Sequence, residues 1–345
     1  MSGFTDLETL RELFASHLEN TGSRKVNLKE CEFFYEENVP PYLEHAGQKF
    51  TIDKTRCDWV VKQLCKLIGV TPAFYDRNPD KLSEEVFKTH IDRLDEKKLE
   101  VEILFKEEGP LKIIRGLIPQ DYYQLTNLEL LNLVVEYFDD QAHDVFFVEG
   151  SSPYTSSARF AVMSTQETEL NETVYNFGVM VRSSEVGDGD LELTPILLDR
   201  EERQFIPLLL NGTTYFKAKY LNPKNGTLVE PVRKALTDIS NAMNTVLPDL
   251  RTNLQVEQSF EDMVDKIKDW GTRRGFPASL SKKVDKSLTA LVDTEDDNGE
   301  NYRFETLGDL VELTLKTSGD SFSNLLKTST FLAKDLGFNY QVQSK

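Results

Sequence analysis

Hydrophobic positions change their spacing twice along the chain, which divides it into three parts. Towards both ends, apolar residues recur three and four positions apart, the spacing of a helix that buries one face. Between residues 99 and 221 they alternate with polar residues, as in strands that bury one side. The pattern therefore predicts helical ends around a strand-rich centre.

The helical spacing is found in nine separate segments, and some of them have recognisable boundary residues. Thr5 is expected to cap the first segment and Gly69 to end the second. One strongly apolar helix is also expected within the central part, at 127–138. The predicted helices cover residues 5–19, 53–68, 83–94, 127–138, 229–246, 256–270, 280–291, 304–316 and 322–336.

The central part contains two hairpin patterns. Residues 99–119 alternate on both sides of a turn at 107–110, and residues 175–198 alternate on both sides of a polar loop at 183–190. Further strands are expected at 143–150, 158–165 and 213–221. The centre is thus a mixed or antiparallel sheet with an intervening helix.

The polar loop of the second hairpin contains more than a turn needs. Gly187 and Gly189 are expected to supply positive φ, and Ser184 to bond nearby backbone. A turn does not require Arg182 or Glu185. We interpret the loop as a structural or interface element in preference to a ligand site, because a Ser and a Glu without a His do not form a nucleophilic unit.

These elements predict an α+β protein with N-terminal helices, the central sheet and a C-terminal all-helical lobe. Three segments follow: an N-terminal helical segment at 1–98, a β-rich core at 99–225 and a helical lobe at 226–345. A chain of 345 residues with 39% hydrophobic content can bury a core of this size.

Charge limits the partners of the chain. It has 40 basic and 58 acidic residues, a formal net charge of −18, so that the molecule as a whole repels nucleic acid and anionic membranes. The N-terminus has early acids, and no segment approaches the roughly 20 apolar residues of a membrane span. The sequence therefore predicts a cytoplasmic protein without a membrane partner, and any nucleic-acid site would need a local basic patch.

Motifs that identify enzymes by local sequence are missing. The four histidines are scattered, and there is no phosphate-binding loop, dinucleotide fingerprint or nucleophile elbow. The three cysteines, Cys31, Cys57 and Cys65, lack a CxxC pair and are expected to be reduced core thiols. The sequence therefore favours a non-catalytic protein without a cofactor.

One acidic segment, residues 294–305, partly fits a calcium-binding loop. Asp296, Asn298 and Glu305 occupy the third, fifth and twelfth positions of that template. The first position should be Asp and the eighth apolar, but they are Thr294 and Asn301. The segment is therefore better interpreted as a solvated acidic linker than as a metal site.

Cationic residues concentrate only once, around Trp270 and Phe276. Lysine and arginine interleaved with aromatic rings can bind single strands, with phosphate on the cations and bases on the rings. The alternative is a pair of helices whose charged face is solvated and whose Trp270 is buried. The candidate nucleic-acid residues are Lys266, Lys268, Trp270, Arg273, Arg274, Lys282, Lys283 and Lys286.

Three stretches together resemble a family of unknown function found in phages and plasmids, which includes the YfjQ-type proteins. The first is IIRGLIPQDYYQLTNLELLNLV, the second VRSSEVGDGDLEL and the third LLDREERQFIPLLLNGTTY. In family terms the motif residues are Arg115, Tyr122 or Tyr123, and Asn127, then Ser184, Glu185 and Gly187, then Arg200 or Arg203, Asn211 and Gly212.

The third stretch departs from the family pattern, since residues 208–210 are all Leu where the family places a Cys before the Asn. The resemblance implies a common fold, a mobile-element origin and a place in the cytoplasm of a bacterial host. It carries over no catalytic residue.

Two functions fit these observations. The first is a non-catalytic, oligomeric accessory protein of phage or plasmid DNA metabolism, which binds or anneals single-stranded nucleic acid through the basic cluster. The alternative is an acidic module that binds a host protein, as host-takeover and anti-defence factors do, without contacting nucleic acid.

Overall fold

The computed structural model describes residues 3–36, 39–73, 84–94, 99–138, 146–149, 154, 158–170, 173–187, 189–199, 204–207, 216–220, 227–257, 259–273, 276, 278–292, 307–318, 328, 331 and 332. Helices and two β-sheets make up this part of the chain, so the predicted α+β class is confirmed.

The first sheet is antiparallel throughout and has the order β1-β8-β9-β10-β11-β12, with β13 also paired to β11. Its central hairpin, β10 with β11, is the one predicted from residues 175–198, and Arg182 lies opposite Glu192 at its end. The strands are β1 Gly3–Thr5, β8 Phe146–Glu149, β9 Ala158–Leu170, β10 Thr173–Ser183, β11 Leu191–Asp199, β12 Gln204–Pro207 and β13 Phe216–Ala218.

The second sheet has the order β2-β6-β7-β5-β4-β3. β5 and β7 run parallel, and every other neighbouring pair is antiparallel. β6 and β7 form the hairpin predicted at 99–119, with Gly109 in its turn at φ 58°. The strands are β2 Thr21–Asn27, β3 Cys31–Glu36, β4 Val39–His45, β5 Gln48–Thr51, β6 Glu100–Glu108 and β7 Leu111–Pro119.

This sheet corrects the expectation of a mainly helical N-terminal quarter. Residues 21–51 form four strands, which pair among themselves and with β6 and β7 beyond residue 98. The strands are short and alternate: in β3, Cys31 and Phe33 are buried and Glu32 is exposed. Such short alternation is obscured when long helical patterns flank it on both sides.

Helices occupy most of the predicted positions. They are α1 Leu7–Leu18, α2 Asp58–Leu67, α3 Glu84–Ile91, α4 Asn127–Phe138, α5 Val229–Leu254, α6 Phe260–Thr272, α7 Ala278–Val292 and α8 Leu307–Thr317. Every described element beyond Val229 is helical apart from an isolated bridge residue at Glu257, as expected for the C-terminal lobe. Most of the helix predicted at 322–336 lies outside the described residues.

Several helix starts differ from the prediction, among them that of α6, which begins at Phe260 and not at residue 256. α1 is capped by Asp6, whose carboxylate accepts a hydrogen bond from the Thr9 backbone N–H at 2.8 Å, and not by Thr5. α2 begins five residues late, because Asp53 accepts from the backbone N–H of Thr55 and folds the chain into a turn first. Gly69 ends that helix at φ 74°, as predicted.

Each sheet packs against its own hydrophobic core. The first core joins α1, α4 and the C-terminal helices to the first sheet, and the second joins α2 and α3 to the second sheet. Val186 belongs to the second core although its loop connects two strands of the first sheet. The β10–β11 loop therefore connects the first sheet to the core of the second sheet. In the part of the chain described, no helix is both long and apolar enough to cross a membrane.

Candidate functional site at the junction of the two sheets

The β10–β11 loop leaves the first sheet and packs against β7 of the second. Val186 is fully buried there. At Gly116 of β7, an added Cβ would lie 2.7 Å from the Val186 carbonyl oxygen, so the loop can approach only because this residue is Gly. Gly187 has the predicted positive φ, at 82°, whereas Gly189 does not.

A buried ion pair fixes the loop. Arg115 of β7 donates from Nη2 to Glu185 Oε2 at 3.0 Å, and the two side chains are only 6% and 12% exposed. The other carboxylate oxygen accepts from the backbone N–H of Asn127 at 2.6 Å, at the start of α4. The Glu185 carboxylate is thus stabilised by a guanidinium and by the positive end of a helix dipole.

Two tyrosines hold the neighbouring residue. Tyr122 donates to the Ser184 carbonyl oxygen at 2.7 Å, and the Tyr220 hydroxyl accepts from the Ser184 backbone N–H at 3.4 Å. The rings stack with centroids 5.2 Å apart. Burial raises the pKa of both hydroxyls above their ordinary value, so neither can act as a base near neutral pH.

Helix α2 is attached to the same point. The Gln63 amide donates to the Val186 carbonyl oxygen at 2.6 Å and accepts from the Leu117 backbone N–H at 2.9 Å. Trp59 donates from its indole to the Arg115 carbonyl oxygen at 2.7 Å. Sequence reasoning missed Gln63, Trp59 and Tyr220, because nothing in their spacing connects them to the loop.

The junction brings together the first two stretches of the family resemblance. Arg115, Tyr122 and Asn127 come from one, and Ser184, Glu185 and Gly187 from the other. Ser183 also bonds to the Asn127 side chain. The third stretch is described only in part, at the end of β11 and in β12, and its motif residues Arg200, Arg203, Asn211 and Gly212 lie outside the described residues.

Chemically, this arrangement is a joint. It connects the two sheets, because its charged groups and carbonyls bond to one another and the Ser184 side chain is buried. Arg182 is not part of the joint. It is 39% exposed and pairs with Glu192 at 3.5 Å on the first sheet, where Lys217 also bonds Glu192 and Asp190.

The aromatic residues of the basic cluster lie in the core. Trp270 is 0% exposed, with its ring centroid 5.7 Å from that of Phe276 and 6.2 Å from that of Phe331. No face of the Trp270 ring is therefore open to a base. Of the two interpretations of this cluster, the geometry matches the one in which Trp270 is buried.

The cations of the cluster lie on the surface, in two groups. On α6 and just after it, Lys268 lies 3.8 Å from Asp265 and Arg273 pairs with Asp269, so acids offset these charges. Lys266 is half-buried on the same helix. On α7, by contrast, three cations are all exposed: Lys282, Lys283 and Lys286. Arg274 lies outside the described residues.

An open groove of about 510 Å³ lies between α1 and α4. Glu8, Arg11 and Glu12 of α1 provide its charged side, and Leu128 and Asn132 of α4 the other, with Ala15 completing the lining. Both glutamates are exposed. Residue spacing could not indicate this groove, because the groove depends on how two helices that are distant in sequence pack together.

Metal binding finds no support among the described residues, where no group of three His, Cys, Asp or Glu side chains could hold an ion. The weak calcium candidate, with Asp296, Asn298 and Glu305, lies outside them. The three cysteines are buried and unbridged, and burial raises the pKa of the Cys31 and Cys57 thiols to about 12. Thiols with so high a pKa are unreactive at neutral pH.

Compared with protein-family models, curated proteins and solved structures, the chain matches none of them. The likeness to the phage and plasmid family therefore remains a prediction from its motifs.

Proposed function

We propose that this chain is a non-catalytic accessory protein of a phage or plasmid, and that it acts by binding a basic segment of another protein. The observation that carries the proposal is the groove between α1 and α4, with Glu8 and Glu12 exposed along one side. A concave surface with acidic side chains attracts a segment rich in Lys or Arg.

The composition of the groove fits a helical segment. Leu128 and Ala15 give it an apolar part, and Glu8, Arg11, Glu12 and Asn132 give it a polar one. An amphipathic basic helix could lay its apolar side inward and pair its cations with the glutamates. The net charge of −18 adds long-range attraction for a basic partner, which raises the rate of encounter.

The sequence suggested two other candidate sites, the polar loop at Glu185 and the ring of Trp270, and both have a structural role. The Glu185 carboxylate is bonded to Arg115 and Asn127, and the Trp270 ring is packed in the core. Both stabilise the fold, which leaves surface binding as the activity that the described residues favour.

The test is affinity capture from a nuclease-treated bacterial host lysate, with the wild-type chain and Glu8→Lys/Glu12→Lys compared side by side. We expect the wild type to retain a protein with a basic segment and the variant to lose it. Glu167→Lys/Glu257→Lys is the matched control, since it makes the same charge change at exposed positions away from the groove. Equal retention by all three proteins would contradict the proposal.

Single-stranded nucleic acid remains a second candidate, favoured by one observation: Lys282, Lys283 and Lys286 are exposed together on α7. Residues 282 and 286 are one helical turn apart, so their ammonium groups could contact successive phosphates. This function would rest on phosphate contacts alone, because the Trp270 ring is buried.

Fluorescence anisotropy of a labelled single-stranded oligonucleotide tests this candidate. If it is right, binding weakens steeply with salt and is lost when the three lysines of α7 are changed to Glu. A control with Lys29, Lys219 and Lys234 changed to Glu has the same net charge at exposed positions elsewhere. No binding at micromolar protein, or equal loss in both variants, would exclude a nucleic-acid site on α7.

A further inference from the structure

The two outer strands of the second sheet each pair on one side only, within the described part of the chain. β2 pairs with β6, and β3 pairs with β4. Ser23, Arg24 and Lys25 are exposed along β2, and Glu32 is exposed on β3. Outer strands of this kind present a row of backbone N–H and C=O groups that can accept another strand.

The two edges have opposite charge. β2 contains Arg24 and Lys25 and no acid, whereas β3 contains two glutamates and no base. Among the described residues, neither cation forms an ion pair, and neither does Glu32. The charges of β2 and β3 therefore attract each other, whereas two β2 edges or two β3 edges would repel each other.

Glu32 also lies beside a like charge. Glu32 is directly opposite Glu44 of β4. Lys49 of β5 belongs to the same cross-strand row but lies on the far side of Glu44. Like charges directly opposite in a sheet repel each other. A cation placed beyond the outer edge of β3 would offset that repulsion, on the side where no described strand lies next to Glu32.

Lys25 is on the matching face. Its neighbour Val26 is buried in the second core, as are Cys31 and Phe33 on either side of Glu32. Side chains alternate along a strand, so Lys25 and Glu32 both point away from that core. If β2 of one copy paired with β3 of a second copy, Lys25 and Glu32 would therefore lie on the same face of the continued sheet.

Strand direction determines which symmetry this pairing has. The pairings from β2 through β6, β7, β5 and β4 to β3 make β2 and β3 run in the same direction. A two-fold dimer would pair β2 with β2 or β3 with β3, and would place like charges together. Pairing β2 with β3 is instead a head-to-tail contact between two different surfaces, which builds rings or filaments.

We propose that β2 of one copy pairs with β3 of the next, so that the six-stranded sheet continues from copy to copy with Lys25 beside Glu32. The register shift in β3 lies after Phe34, and residues 31–34 keep regular pairing. This contact is separate from the groove between α1 and α4, so it does not depend on the proposed function.

Light scattering over a range of protein concentrations tests the proposal. The wild type is expected to exceed its monomer mass of 39.5 kDa increasingly as concentration rises, and less so at high salt. Arg24→Glu/Lys25→Glu and Glu32→Lys should each remain monomeric alone. When these two variants are mixed they should associate, because an acidic β2 then meets a basic β3.

The mixing step shows that each variant is folded and able to assemble. Lys219→Glu/Lys234→Glu, which changes exposed lysines away from both edges, is expected to assemble like the wild type. A constant 39.5 kDa at every concentration would overturn the proposal. So would a dimer of fixed size, an assembly that neither edge variant weakens, or two variants that stay apart when mixed.

Discussion

Removal of the Glu185 carboxylate tests directly how much the junction between the two sheets contributes to stability. In Glu185→Ala the Arg115 guanidinium keeps its buried position, 6% exposed, but loses the Glu185 carboxylate, and the Asn127 N–H at the start of α4 loses its hydrogen bond to that carboxylate. Breaking one side of a buried ion pair costs about 3–5 kcal/mol, and leaving a buried N–H without its acceptor costs about 1–3 kcal/mol. Since a whole domain is stable by only about 5–15 kcal/mol, we expect a large loss of the free energy of unfolding.

Urea denaturation measures this loss, with Arg182→Ala as the matched control on the same hairpin. Arg182 is 39% exposed in its pair with Glu192, so its removal should cost at most about 1 kcal/mol. Glu185→Gln keeps an oxygen that can accept from the Asn127 N–H, so its loss of stability should lie between those of Glu185→Ala and Arg182→Ala. If Glu185→Ala lost no more stability than Arg182→Ala, the junction would not be the joint described above.

Three further predictions concern the rest of the fold. Gly187→Ala should cost about 1–2 kcal/mol in urea, because a Cβ at φ 82° would lie 3.1 Å from Ile118, whereas Gly189→Ala should change stability by less than about 0.5 kcal/mol; equal effects would contradict the loop geometry. Burial, with nearby Arg115 and Lys106, lowers the pKa of His17 to about 4. The unfolded chain therefore binds the extra proton below about pH 6.5, and the stability due to neutral His17 is lost as pH falls from there towards about 4. Between pH 7 and 5 the wild type should lose roughly 1–2 kcal/mol more than His17→Gln, and parallel pH curves for the two proteins would refute this. Trp270→Ala should lower the free energy of unfolding by about 3–5 kcal/mol and Lys268→Ala by almost nothing; a stable Trp270→Ala protein would place the ring outside the core.

The sequence predicted the elements whose pattern runs unbroken over their whole length. Helix α4 begins and ends where expected, at Asn127 and Phe138, and both predicted hairpins form. The strands between Thr21 and Thr51 were missed because each is only four to seven residues long, too short for alternation to stand out. The start of α2 was misplaced because the Asp53 turn competes with the helix.

Contacts between distant segments could not be predicted from spacing. Arg115 and Glu185 are 70 residues apart, and only their positions on neighbouring sheets bring them together. The polar loop offered one clue, since Glu185 was more than its turn required. Nothing comparable marked Gln63, whose amide bonds both the loop and β7.

The most direct measurement of the proposed function is zero-length carbodiimide cross-linking of the captured complex, which joins a carboxylate to an amine in contact with it. Mass spectrometry then locates the joined residues. We expect cross-links from Glu8 or Glu12 to lysines of the partner protein, and we expect Glu8→Lys/Glu12→Lys to lose them. Cross-links that leave out the groove and gather on Lys282, Lys283 and Lys286 of α7 would contradict it.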